Sequence, residues 1–185
     1  MPSPRYILTV LLMLAASLAP ALAPSQAPQA ATKGKPEVLS ALQKMLRGEL
    51  GALSQYMVHA EMCDNWGYKK LADQTKKRSI VEMKHAEKLI ERMLFLDGMP
   101  IVTDLPPLTI GKDVKQQLEN DLALEHAALI GYNEAIAVCR KAADNSSADL
   151  LEEILQDEDG HVDFLESQLT VIKDAGLENY LSQQM

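Results

Sequence analysis

The chain is predicted to be all-α, a bundle of four long helices with one long crossover and a short fifth helix at the C-terminus. Three observations carry this. Its 185 residues are 47 % apolar but only 4 % aromatic, and Leu, Ala, Met, Glu, Lys and Gln, all good helix formers, dominate. No Val/Ile/Thr alternation is long enough for a strand. A pattern of Glu and His residues recurs at an offset of 76 positions, as two related helix hairpins would leave behind.

The first helix opens at Pro36, since proline suits a first helical turn, and runs to about Trp66, with Gly67 as its stop. The second runs from about Lys69 to Asp97 and is closed by Gly98 and Pro100. Met99 to Lys112 contains Pro100, Pro106, Pro107 and Gly111, so it is a linker. Asp113 opens the third helix, with Gln116 three residues on as a capping box, and this helix ends near Ala143. Asn145-Ser146-Ser147 is expected to supply the next N-cap. The fourth helix then spans about Ala148 to Asp174 and stops at Gly176. Leu177 to Gln183 forms the short fifth helix.

Connection lengths give the topology. The first two helices, and the last two long ones, are joined by a few residues, so each pair is antiparallel. The linker of about 14 residues can reach about 45 Å when extended. A helix of roughly 29 residues is about 43 Å long. The linker can therefore run the length of the bundle, and the third helix is expected to start beside the second in a parallel sense.

Residues 1–31 differ from the rest. Arg5 is their only charged side chain, Tyr6 to Ala23 is an apolar run, and a Pro/Ala/Gln stretch follows to Ala31. This is the layout of a secretory leader. Ala19-Pro20-Ala21 and Ala21-Leu22-Ala23 both offer small residues for cleavage, though Pro24 follows the second. The run is near the minimum for a membrane span, so an uncleaved anchor is the alternative. The expected organisation is thus a leader over 1–31 and one domain over 32–185, exported or anchored, with a cytoplasmic location if the leader is not used. The net charge of −8 argues against a nucleic-acid or anionic-membrane surface. Cys63 and Cys139 fall at opposite ends of the expected bundle, so no bridge within one chain is predicted. Their expected role is that of small buried apolar residues.

The chemistry lies in the repeat. Glu49 is followed 33 positions on by Glu82 and then by His85, and Glu125 is followed 33 positions on by Glu158 and then by His161. Tyr56 and Tyr132 share the same offset of 76. Glu-x-x-His puts carboxylate and imidazole one turn apart on one helix face, so both can point at one ion. One such pair is weak evidence, because Glu and His often fall three apart. Two pairs, each with a lone Glu at matched distance upstream, are strong evidence for a site holding two Fe(II) or Mn(II) ions. Four carboxylates balance two divalent cations, whereas four buried carboxylates without metal would repel one another and take up protons. Buried Glu/His salt bridging is the plainer alternative. His59 and His126 have no such partner and are expected to play surface or core roles. Met83 directly follows Glu82, so it is turned about 100° away from the ions and should face outward. A lone outward Met usually packs against something, although a thioether can also bind haem iron.

At this point the residues resemble a family. Val81–Pro100 (VEMKHAEKLIERMLFLDGMP), Asp64–Gly67 (DNWG), Asn120–Glu125 (NDLALE) and Ile154–Glu166 (ILQDEDGHVDFLE) are similar to bacterioferritin, over about Lys35 to Gln184. The resemblance implies a ferritin-like bundle and a shell of 24 subunits storing ferric mineral. It implies two iron ions per subunit, with Glu49 and Glu125 as terminal ligands, Glu82 and Glu158 as bridges, and His85 and His161 binding one iron each. The site would oxidise Fe(II) with dioxygen or peroxide. Met83 would be the axial ligand of a haem b shared between two subunits, with Trp66 near its pocket. Tyr56 matches a tyrosine that supplies an electron to the iron site, its alternative role being core packing. Two departures stand out. An auxiliary iron site on the cavity wall, known in some members, would need His and Asp where this chain has Lys77 and Val81. The leader is also extra, and export would separate the chain from the family's ferredoxin electron donor.

Two rival readings remain at the level of sequence. One is a small-oligomer di-iron or di-manganese redox enzyme of oxygenase or catalase type. The other is a haem-binding or membrane-tethered assembly protein whose metal site is structural.

Overall fold

The computed structural model describes residues 34–185, so the leader expected over 1–31 lies outside the described residues. It contains α1 (Pro36–Asn65), α2 (Lys69–Phe95), α3 (Val114–Lys141), α4 (Asn145–Ala175) and a short α5 (Leu177–Ser182). Among the described residues there is no strand, and no helix is long and apolar enough to cross a membrane.

The helix ends follow local chemistry. Three helices close in the same way. After α1, Gly67 N donates to Asp64 O and Tyr68 N to Cys63 O. After α2, Asp97 N donates to Leu94 O and Gly98 N to Met93 O. After α3, Ala143 N donates to Arg140 O and Asp144 N to Cys139 O. Each is a Schellman closure needing a left-handed residue, supplied by Gly67 (φ 91°), Asp97 (φ 58°) and Ala143 (φ 57°). The expected stop at Gly98 thus serves packing instead, since a Cβ there would sit 2.5 Å from Leu39 Cδ2. Asp113 caps α3 by accepting from Gln116 N at 2.9 Å, while Gln116 Oε1 accepts from Lys112 N rather than from Asp113 N. The cap of α4 is Asp144, not the expected Asn145-Ser146-Ser147. Its carboxylate accepts from Ser147 N and Ser147 Oγ and pairs with Arg92 at 2.7 Å.

Cross-helix pairs fix the arrangement. Lys76–Glu61 and Ser79–Leu53 run α1 antiparallel to α2. Lys44–Glu134 and Cys63–Gln117 run α1 antiparallel to α3. Lys88–Glu153 and Arg92–Ser147 run α2 antiparallel to α4. The helices α2 and α3 are therefore parallel, as expected, but α3 packs against α1 rather than beside α2. The crossover decides this, because it is strapped along α1. Gln43 exchanges hydrogen bonds with Ile101, Arg47 pairs with Asp104, Pro106 packs on Gly51, Gln55 accepts from Thr109 N, and His59 accepts from Gly111 N. Positions 43, 47, 51, 55 and 59 lie four apart and form one stripe of the helix.

The interior has two apolar cores. One holds Leu42, Leu46, Leu89, Met93, Cys139, Leu151 and Ile154. The other, at the opposite end, holds Cys63, Leu71, Val114, Leu118, Leu165, Ile172 and, from α5, Tyr180. Complete burial of a Leu or Ile side chain contributes about 1.5–3 kcal/mol, so these cores hold the bundle together. Cys63 and Cys139 sit in different cores and are free, which agrees with the expected lack of a bridge. Burial pushes their thiols up to about 12 and about 11. The buried Glu49, Glu82, His85, Glu125, Glu158 and His161 belong to neither core and lie along the chain between their residues.

Candidate metal centre

Glu49 on α1, Glu82 and His85 on α2, Glu125 on α3, and Glu158 and His161 on α4 are all buried. The helical period that places residues three apart on one face turns each Glu-x-x-His pair inward together. His85 Nδ1 lies 3.1 Å from Glu82 Oε2, 3.1 Å from Glu158 Oε1 and 3.5 Å from Glu49 Oε2. His161 Nδ1 lies 2.7 Å from Glu158 Oε2, 3.2 Å from Glu82 Oε1 and 3.5 Å from Glu125 Oε1. Two ligand sets result, Glu49–Glu82–His85–Glu158 and Glu82–Glu125–Glu158–His161, each with its ligand atoms within 4.8 Å of one another. Glu82 and Glu158 belong to both. The two imidazole rings stand 6.1 Å apart, tilted by only 21°.

The donor atoms themselves test whether cations fit. Glu82 Oε1, both Glu158 carboxylate oxygens and His161 Nδ1 are buried without a hydrogen-bond partner. Buried polar atoms are rarely left so, because each costs about 1–3 kcal/mol. Here they face one another across a space that carboxylate and imidazole donors suit to iron or manganese. Burial raises the pKa of Glu49, pushes Glu82 up to about 8 and holds Glu125 well above the usual carboxylate range. Burial acts to lower the pKa of His85, but the carboxylates of Glu158, Glu49 and Glu82 close around its Nδ1 outweigh this and hold it up at about 12. Without metal, the cluster therefore retains protons that bound cations would displace.

Tyrosines brace the terminal carboxylates. Tyr132 Oη donates to Glu49 and Tyr56 Oη donates to Glu125. Each bond crosses between α1 and α3, so each helix holds the acid of the other. Burial pushes both phenols well above their ordinary value. The sequence marks Tyr132 only as a member of the repeat, and its 76-residue offset from Tyr56 is the signal for its role. Beside Tyr56, Asp121 accepts from Gln55 Nε2 at 2.8 Å and pairs with His59 at 2.9 Å. His59 accepts from Gly111 N at its Nε2, so its Nδ1 carries the hydrogen and donates to Asp121. His59 is thus a satisfied core histidine. No spacing in the sequence signals this network, which needs the crossover to be in place.

The other residues singled out from the sequence belong to neither ligand set. Met83 is 47 % exposed and Trp66, the C-cap of α1, is 37 % exposed. Lys77 is exposed and Val81 is partly buried. His126 is half exposed and lies 3.8 Å from Glu166. A cavity of about 540 Å³ adjoins the Glu/His cluster between α1 and α3, lined in part by Met45, Ala52, Leu124, Ala128 and Tyr132 and bordered by Pro106–Thr109 of the crossover.

Comparison with known proteins agrees with this geometry. The family profile of the ferritin-like domain matches residues 39–175. A bacterioferritin of Mycolicibacterium paratuberculosis is 42 % identical over 151 residues, 82 % of this chain and 95 % of the relative. One of Brucella melitensis is 44 % identical over 148 residues, 80 % of this chain and 92 % of the relative. A bacterial ferritin of Synechocystis sp. is 44 % identical over 154 residues, 83 % of this chain and 99 % of the relative. With the bundle, the buried acids and these relatives in agreement over the same stretch, the chain belongs to the bacterioferritin family of ferritin-like proteins.

Proposed function

We propose that the protein stores iron and oxidises Fe(II) to Fe(III) at the paired site. The observation that carries this reading is the pair of overlapping ligand sets that share Glu82 and Glu158. Glu49 and His85 would hold one ion, Glu125 and His161 the other, and the two shared carboxylates would bridge them. Two iron ions so held would supply the electrons that reduce dioxygen or peroxide. The chain's own residues set the stage. Tyr132 and Tyr56 orient the terminal acids, and all six donors are buried. The carboxylates release their protons as cations enter. Tyr56, bonded to Glu125, would pass an electron to the site.

The test is stopped-flow oxidation of Fe(II). Glu82→Ala combined with Glu158→Ala should abolish the rapid phase, and unchanged oxidation would remove this site from the mechanism. The rest of the assignment follows the family. A shell of 24 subunits would run near 400 kDa. Met83, exposed on α2, would ligate haem b between two chains with Trp66 nearby, and Met83→Ala should give a haem-free shell that still oxidises iron. Residues 1–31 would export or anchor the chain, leaving a ferredoxin donor out of reach. N-terminal sequencing of cell fractions tests this, since an intact Met1 in soluble cytoplasm would contradict it.

The cavity between α1 and α3 favours a second reading, a di-metal redox enzyme acting on a small organic substrate held there. A native mass several-fold below that of a shell, with turnover of such a substrate, would support it over storage.

A further inference from the structure

The two halves of the site are duplicated in their ligands but not in what lies behind them. Both histidines turn Nδ1 toward the cluster. A neutral imidazole that offers Nδ1 to a cation carries its hydrogen on Nε2, and that N–H needs an acceptor to fix the ring. His85 has one, since Asp157 Oδ2 lies 3.2 Å from its Nε2. Among the described residues, no hydrogen bond reaches His161 Nε2. The 76-residue offset explains the difference. The position equivalent to Asp157 in the other half is Val81, whose side chain can accept nothing. Val81, His85, Asp157 and His161 line one opening between α2 and α4, so the comparison is made at a single mouth. Arg78, Lys84 and Lys88 also line this mouth, and among the described residues the one ion pair of Asp157 is with His85. Lys88 is paired with Glu153 at 2.8 Å, and Arg78 lies over the ring of Phe164. Among the described residues Asp121 is the buried acid outside the two ligand sets, and it is bonded to Gln55 and His59.

We infer that Asp157 is a positioning residue for His85, and that the lack of a counterpart at Val81 leaves the His161 half of the paired site less firmly organised for its cation. The inference rests on the paired-metal reading above. An outer acceptor of this kind typically changes metal affinity by about 10- to 100-fold when removed.

Co(II) alone, titrated calorimetrically into the assembled metal-free protein, separates the halves when one histidine is absent. In the His161→Ala background the remaining imidazole is His85. There Asp157→Ala should weaken Co(II) binding at least about tenfold, and Asp157→Asn, which keeps an acceptor oxygen, should restore part of it. In the His85→Ala background Asp157→Ala should change nothing, whereas Val81→Asp should tighten binding. Equal effects of Asp157→Ala in both backgrounds, no effect in the first, or no gain from Val81→Asp in the second would overturn the inference. Failure of the paired-metal reading looks different, because Glu82→Ala with Glu158→Ala would then leave Co(II) uptake intact. Asp157 is exposed, so its variants should keep the wild-type native mass and thermal midpoint of the metal-free protein.

Discussion

A buried carboxylate is a cost that a fold tolerates only with a partner, and the partners here differ atom by atom. Glu49 and Glu125 each receive a tyrosine hydroxyl, whereas Glu82 and Glu158 keep orphaned oxygens. The acids with spare lone pairs are the two shared between the ligand sets. Tyr132→Phe should leave a Glu49 oxygen without its donor and lower the stability of the metal-free protein by about 1–3 kcal/mol. Tyr56→Phe should do the same through Glu125. Denaturant unfolding checks both, and a loss confined to Tyr56→Phe would show that the two braces are not equivalent. The six converging Glu and His positions were legible from spacing because Glu-x-x-His is a local, helical relation repeated at a fixed offset. Asp157 was not, since its partner lies 72 residues away in sequence.

At the scale of the helix, termini were read to within a few residues, but the residue doing the work was sometimes a neighbour. Asp144 rather than Asn145 caps α4, because Arg92 from α2 pairs with its carboxylate. Burial acts to raise the pKa of Asp144, but hydrogen bonds from Ser147 and the charge of Arg92 outweigh it and hold it below the usual value. A carboxyl depressed in the folded state contributes stability above its unfolded pKa and loses it as pH falls through the folded one. Asp144→Ala should therefore cost about 1–2 kcal/mol near neutrality, and the gap to wild type should close below about pH 4. A gap that stays constant with pH would show that the charge is immaterial. Ala143 holds a left-handed conformation (φ 57°) that costs a non-glycine residue about 1–2 kcal/mol. Ala143→Gly should recover part of this, after glycine's own entropic cost of about 0.5–1 kcal/mol, and raise the thermal midpoint by a few degrees.

For the molecule as a whole, the bundle is two apolar cores separated by a layer of acids and imidazoles. With metal bound that layer would act as a clamp, since ligands from all four long helices would meet on two ions. Adding Co(II) at about 100 times its dissociation constant should stabilise the fold by about 2.7 kcal/mol. The Glu82→Ala, Glu158→Ala variant should show no such rise in thermal midpoint. A rise in that variant would place the stabilising metal elsewhere.

Periodicity, punctuation by Gly and Pro, and the 76-residue repeat were enough to read four long helices, a short fifth, their hairpin pairing and the six converging Glu and His side chains. All of these are relations along one helix or between two copies of one pattern, and such relations survive in the linear chain. Which helix lies beside which required the folded chain, because the strap of hydrogen bonds from positions 43 to 59 to the crossover draws α3 against α1. The unequal backing of His85 and His161 likewise appeared only on packing. A hydrogen bond between side chains of different helices leaves no trace in spacing until the backbones are brought within its reach.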